Sequence, residues 1–140
     1  MSNFRRLVEA LVDPLEAKYK NETFCCEIDE FYKEPRDKAI HFIKFCKSQD
    51  GVGPEEIGEE EFFKDTVMGC DGYWGYVPVR LMTTDFILSV LEDFPHAASG
   101  LPKKFIIDNP AVLNYIKNNM WYNRSFKHTY DWLIERGLIQ

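Results

Sequence analysis

The sequence predicts a mainly α-helical fold. It reads as a compact bundle of about five to seven helices in one globular domain spanning 1–140, with at most a small β-hairpin or short strands near 67–82 and 105–107. Three observations lead there. Apolar residues recur at i, i+3, i+4 and i+7 along most of the chain, the period of a helix with one buried stripe. Proline, serine or threonine stands where such stretches begin, and glycine or proline where they end. The length of 140 residues, with 45% hydrophobic and 15% aromatic side chains, suits one domain with a core of its own.

The first stripe comprises Phe4, Leu7, Val8, Leu11, Val12, Leu15 and Tyr19. Pro14 interrupts it, and Asp13-Pro14-Leu15-Glu16 has the form of a helix start, so the segment predicts one kinked helix or two short ones. Phe24, Ile28, Phe31 and Tyr32 fit a further helical face. Glu34-Pro35 opens the next helix, which runs to about Ser48. Its apolar residues Ala39, Ile40, Phe42, Ile43, Phe45 and Cys46 surround much of its circumference, the pattern of a central helix contacted on several sides. Gly53-Pro54 starts an acidic helix over 54–66, whose only apolar residues toward the core are Ile57, Phe62 and Phe63.

Helical periodicity fades over 67–82, where glycines, tyrosines and Trp74 cluster. The expectation is a loop with short extended pieces turning at Asp71-Gly72. Thr83 or Thr84 caps a helix that turns Phe86, Ile87, Val90, Leu91 and Phe94 inward and is ended by Pro95. Phe105-Ile106-Ile107 reads as strand or extended chain. Asn109-Pro110 begins a helix with Val112, Leu113, Ile116 and Met120 on one side. Ser125 caps the last helix, with Phe126, Tyr130, Leu133 and Ile134 inward and Gly137 as its stop. Trp121 and Tyr122 read mainly as core, whereas Trp132 falls off the inward stripe.

Charge is distributed unevenly. The net is −6, and all of it lies in residues 1–66, which hold 10 basic and 16 acidic side chains; residues 67–140 hold 7 of each. Seven acids and one lysine fall between Asp50 and Asp65. A field of that sign repels phosphate backbones and attracts basic surfaces, which argues against direct nucleic-acid binding. Glu9, Asp13 and Glu16 interrupt any apolar leader after Arg5-Arg6, and no apolar run is long enough to span a bilayer. The expectation is a cytoplasmic protein without membrane contact, with Cys25, Cys26, Cys46 and Cys70 as reduced thiols.

No motif identifies a chemistry. The cysteines and His41, His96 and His128 lack the close pairing of zinc ligands, and the glutamates lack the Glu-x-x-His partners of carboxylate-bridged metals, so neither metal nor cofactor is expected. Asp50-Gly51-Val52-Gly53 lacks the lysine of a phosphate-binding loop. Two readings follow. The first is a protein-binding or inhibitor protein that docks a basic partner, such as a toxin or nuclease, as toxin-neutralising immunity proteins and phage anti-defence proteins do as a class. Its contact residues would be Glu55, Glu56, Glu59, Glu60, Glu61 and Asp65 on the acidic helix and Tyr73, Trp74 and Tyr76 in the aromatic loop. The alternative is a small enzyme or enzyme-associated subunit, with a pocket near Cys70, His96 and His128 that also includes Asp71 and Tyr73.

Overall fold

The computed structural model describes residues 14–25, 34–69 and 71–140. The stripe from Phe4 to Val12, the face formed by Ile28, Phe31 and Tyr32, and Cys26 and Cys70 lie outside the described residues. Pro14 starts the short helix α1 (Pro14–Lys18), which buries Leu15 and delivers Tyr19 into the core, edge-on to Phe24. Phe24 is not helical. It forms an isolated antiparallel bridge with Pro78, in which Cys25 and Val79 donate to the carbonyls of Val77 and Thr23. The flanking residues make these bonds because proline has no N–H to give.

Helix α2 (Pro35–Asp50) begins behind an extended Glu34 with proline in its first turn, as the sequence predicts. It ends where Gly51 takes a left-handed conformation and its N–H returns to the Lys47 carbonyl. It is not contacted on all sides. Ala39, Ile40 and Ile43 are buried, but Phe45 is 57% exposed. The predicted acidic helix 54–66 is broken. Gly58 adopts φ 91, ψ 145, outside the helical region, and divides it into α3 (Pro54–Ile57) and α4 (Glu59–Gly69). The i, i+4 carboxylate faces that one continuous helix would have made across this point are therefore absent.

Beyond α4 the expected extended pieces are helical turns. Asp71–Tyr76 and Val79–Leu81 are 3₁₀ helices, and Phe105-Ile106-Ile107 lies in the helical turn α6 (Lys104–Ile107). Among the described residues there is no sheet. Helix α5 (Thr84–Asp93) follows the sequence closely. Thr83 Oγ1 accepts from the Phe86 N–H, and Phe86, Ile87, Val90 and Leu91 are buried. Pro95 stops it and opens a third 3₁₀ turn, Pro95–Ser99. Helix α7 (Pro110–Asn119) buries Val112 and Ile116, and Asn109 Nδ2 ties its start to Thr84 Oγ1 at the start of α5.

Helix α8 (Arg124–Glu135) buries Phe126, Thr129 and Leu133. Its cap is Asn123 instead of Ser125: Asn123 Oδ1 accepts from the N–H groups of Ser125 and Phe126. Ile134, expected inward, is 40% exposed, one position around from Leu133. Trp132 is half-buried, with the Arg136 guanidinium 4.2 Å and Lys103 Nζ 5.7 Å from its ring centre. Lys103 also donates to the carbonyls of Ala98, Ser99 and Leu101, and burial lowers its pKa.

The core centres on Trp74, which is fully buried in the first 3₁₀ turn. Its Nε1 donates to the Ala97 carbonyl in the third turn at 2.7 Å, and its ring meets Phe86 edge-on. The first turn packs on α2 and α4, and the third on α5 and α8. One indole thus connects the turn resting on α2 and α4 with the turn resting on α5 and α8.

Two substitutions test this packing. Thr129 Oγ1 is buried without a hydrogen-bond partner among the described residues. Thr129→Val removes a hydroxyl that folding strips of water and should stabilise the protein by about 1 kcal/mol in urea titration. Gly58→Ala should destabilise it by about 1–3 kcal/mol, because a β-carbon disfavours the conformation that separates α3 from α4.

Candidate functional site

The apolar side of α2 that the core leaves open forms one wall of a groove. Phe42, Phe45, Cys46 and Asp50 come from this helix, Val52 from the loop that follows, and Ile57 from α3. The opposite wall is the face of α4 carrying Phe62, Asp65, Thr66 and Gly69. These positions share one side of a helix of 3.6 residues per turn. The groove encloses about 320 Å³. Phe45, Val52 and Ile57 are exposed along it, and Asp50 and Asp65 supply its charge. Tyr76 stacks at 4.2 Å on Phe42 and supports that wall from behind. Gly69 leaves the end of α4 without a side chain.

The acidic residues divide into two sets. Glu56 and Glu59 are engaged within the molecule. Glu56 accepts from the Gly53 N–H at 2.7 Å and pairs with Lys47 at 3.1 Å, and these contacts hold its carboxyl below the ordinary range. Glu59 lies between Lys18, Arg80 and the Tyr19 hydroxyl. Burial alone would raise its pKa, but the hydrogen bonds and charges of Arg80 and Lys18 outweigh this and lower it. Tyr19 is pushed well above the usual phenol range by burial and the neighbouring Glu59. Arg80 also pairs with Glu22, so one guanidinium links α4 to the segment after α1.

Glu55, Glu60, Glu61 and Asp65 face solvent. Glu60 and Glu61 border a second, polar hollow of about 340 Å³ with Asp85, Ser89 and Lys64. Lys64 is committed there to Asp93 at 2.6 Å and Ser89 at 2.8 Å, and the Asp93 carboxylate raises its pKa.

The aromatic loop does not act as expected. Trp74 is wholly inside, where only unfolding would expose it, and Tyr76 is half-buried against Phe42. Neither ring stands out toward solvent, because the turn is a 3₁₀ helix that packs on α4. The Tyr73 and Asp71 side chains lie outside the described residues. The apolar side chains exposed along the groove are instead Phe45, Val52 and Ile57. For Phe45 the signal is the apolar circumference of α2, which exceeds what one buried face needs.

The elements of the alternative pocket are only partly brought together. His96 Nδ1 lies 2.9 Å from Ser125 Oγ, and His128 is one turn farther along α8; both imidazoles are exposed. The two N–H groups at the start of that helix already donate to Asn123, so they offer no oxyanion site. Cys70 lies outside the described residues. Cys46 is a free thiol, and burial together with Asp50 raises its pKa. Among the described residues, no three His, Cys, Asp or Glu side chains form a group that could hold a metal ion, and no helix is long and apolar enough to cross a membrane.

The Glu59 cluster has a pH signature. A carboxylate with a depressed folded pKa contributes stability above its unfolded value and loses it as the pH falls through the folded one. Wild type should therefore lose stability below about pH 5 more steeply than Glu59→Gln, which should cost about 0.5–1 kcal/mol at neutral pH; denaturation midpoints measured across this range check both.

No protein-family model matches the chain, and no curated protein or solved structure is similar to it.

Proposed function

We propose that this chain is a protein-binding module that masks a basic partner by taking an amphipathic segment of it into the α2–α3–α4 groove. The observation that carries the reading is the groove itself, an open apolar trough with carboxylates on its walls. Soluble proteins seldom leave large contiguous apolar surface uncovered, and such a surface beside charged residues suits a partner with both chemistries. A helix presenting apolar residues at i, i+3 and i+4 fits a trough between helices, with its lysines and arginines meeting the rim. The outward carboxylates Glu55, Glu60, Glu61 and Asp65 strengthen the attraction over a Debye length and speed encounter, while the apolar contacts slow release. Toxin-neutralising immunity proteins and phage anti-defence proteins inhibit by this kind of masking, and inhibition of a basic toxin or nuclease is the role the proposal favours.

The separation of the acids sharpens the test. Neutralising Glu56 or Glu59 would disturb the fold, so the informative variant is D50N/E55Q/E61Q/D65N. The probe is a helical peptide with leucine on one face and lysine elsewhere, with the same peptide carrying glutamate for lysine as control. The lysine peptide should bind wild type, and the charge variant should lower its association rate about tenfold at low salt and little at high salt. F45S/I57S should instead raise the dissociation rate. Equal binding of both peptides, or rates unchanged in both variants, would contradict the proposal.

A further inference from the structure

Among the described residues, the two most exposed aromatic side chains lie on a different part of the molecule from the groove. Trp121 is 73% and Tyr122 90% exposed. Sequence reasoning placed both in the core, but α7 ends at Asn119 and α8 starts at Arg124, so they project from the intervening turn instead of continuing a buried stripe. Lys127 Nζ sits 5.6 Å from the centre of the Trp121 ring. The surrounding chain is basic for so acidic a protein. Between Asp108 and Asp131 there is no acidic residue, against the exposed cations Lys117, Arg124 and Lys127, of which Lys127 pairs with Asp131 at 2.9 Å.

The two surfaces are complementary. One is an apolar trough with carboxylates on its walls and further acids nearby; the other is an aromatic knob flanked by cations. We infer that the Trp121–Tyr122 knob of one copy docks in the groove of another, so that the chain assembles head to tail. Tryptophan and tyrosine offer large contact area at little rotamer cost, and arginine and lysine beside them would meet Asp50 and Asp65. Because knob and groove are different surfaces of the same chain, the contact is heterologous. Each added copy leaves one knob and one groove free, which gives a chain or a ring and not an isologous dimer. Assembly would also occupy the groove, so a basic partner would compete with it. The inference rests on the groove being a docking site. A single-stranded nucleic acid could stack on the same aromatic pair, but the net charge of −6 opposes the approach of its phosphates.

Sedimentation velocity on the full chain tests it, from a few micromolar to several hundred micromolar at low and high salt. Wild type should gain mass with concentration and lose it with salt. W121A/Y122A and F45S/I57S, each checked for native circular dichroism, should be monomeric alone. Mixed in equal amounts they should form a heterodimer that grows no further, since each retains one working half. A wild type monomeric throughout, or a W121A/Y122A variant that assembles like wild type, overturns the inference. So does oligothymidylate binding that depends on Trp121 and Tyr122 in a chain that does not self-associate. If W121A/Y122A still binds the lysine–leucine peptide while wild type stays monomeric, self-docking fails and the groove reading stands. If F45S/I57S alters neither peptide binding nor mass, both fail.

Discussion

The hydrogen bond from Trp74 Nε1 to the Ala97 carbonyl organises the molecule, because it ties the 3₁₀ turn that rests on α2 and α4 to the one that rests on α5 and α8. Burial of an indole removes a large apolar area from water, but it also strips a donor that must find a partner. Ala97 supplies that partner from a short 3₁₀ turn, which in turn packs on α5 and α8. The turn that carries Trp74 packs on α2 and α4, so positioning one ring also sets the two walls of the groove. Phe86 completes the environment edge-on. Trp74 and Tyr76 therefore support the groove from inside the fold.

The site itself exists because two local rules compete. Helix α2 is apolar beyond the needs of its buried stripe of Ala39, Ile40 and Ile43, and a fold that covered the remainder would need another helix there. Gly58 breaks the acidic segment instead into α3 and α4, and both line a trough against α2. The carboxylates then take two roles. Glu56 and Glu59 fix the breakpoint to Lys47, Lys18 and Arg80, and the remaining acids set the potential outside. One run of like charge thus holds its own geometry on one side and attracts cations on the other.

Much of the scaffold could be read from the sequence. The Thr83 cap, the inward face of α5, the proline starts of α2 and α7 and the Gly137 stop depend on short-range rules of capping and periodicity, and these hold wherever the chain is free to follow them. The acidic stretch was visible for the same reason, since charge is additive along a chain. What could not be read was tertiary. Whether Trp74 faces in or out depends on a carbonyl 23 residues away. Whether Phe45 is covered depends on a helix break caused by Gly58, whose conformation composition alone does not reveal. Trp121 and Tyr122 looked like core because aromatic residues usually are, and their exposure follows from the α7–α8 turn. Asn123 took the cap from Ser125 because its carboxamide reaches two N–H groups at once.

Under the proposed function, the trough between α2, α3 and α4 is where this protein meets others. Mapping backbone and methyl chemical-shift changes in the ¹⁵N- and ¹³C-labelled chain, during titration with the lysine–leucine peptide, tests it most directly. The changes should converge on Phe42, Phe45, Val52, Ile57, Phe62 and Thr66 and leave the α5 core unaffected. Changes centred on the His96–Ser125 corner or scattered over the surface, with these residues unmoved, would contradict it.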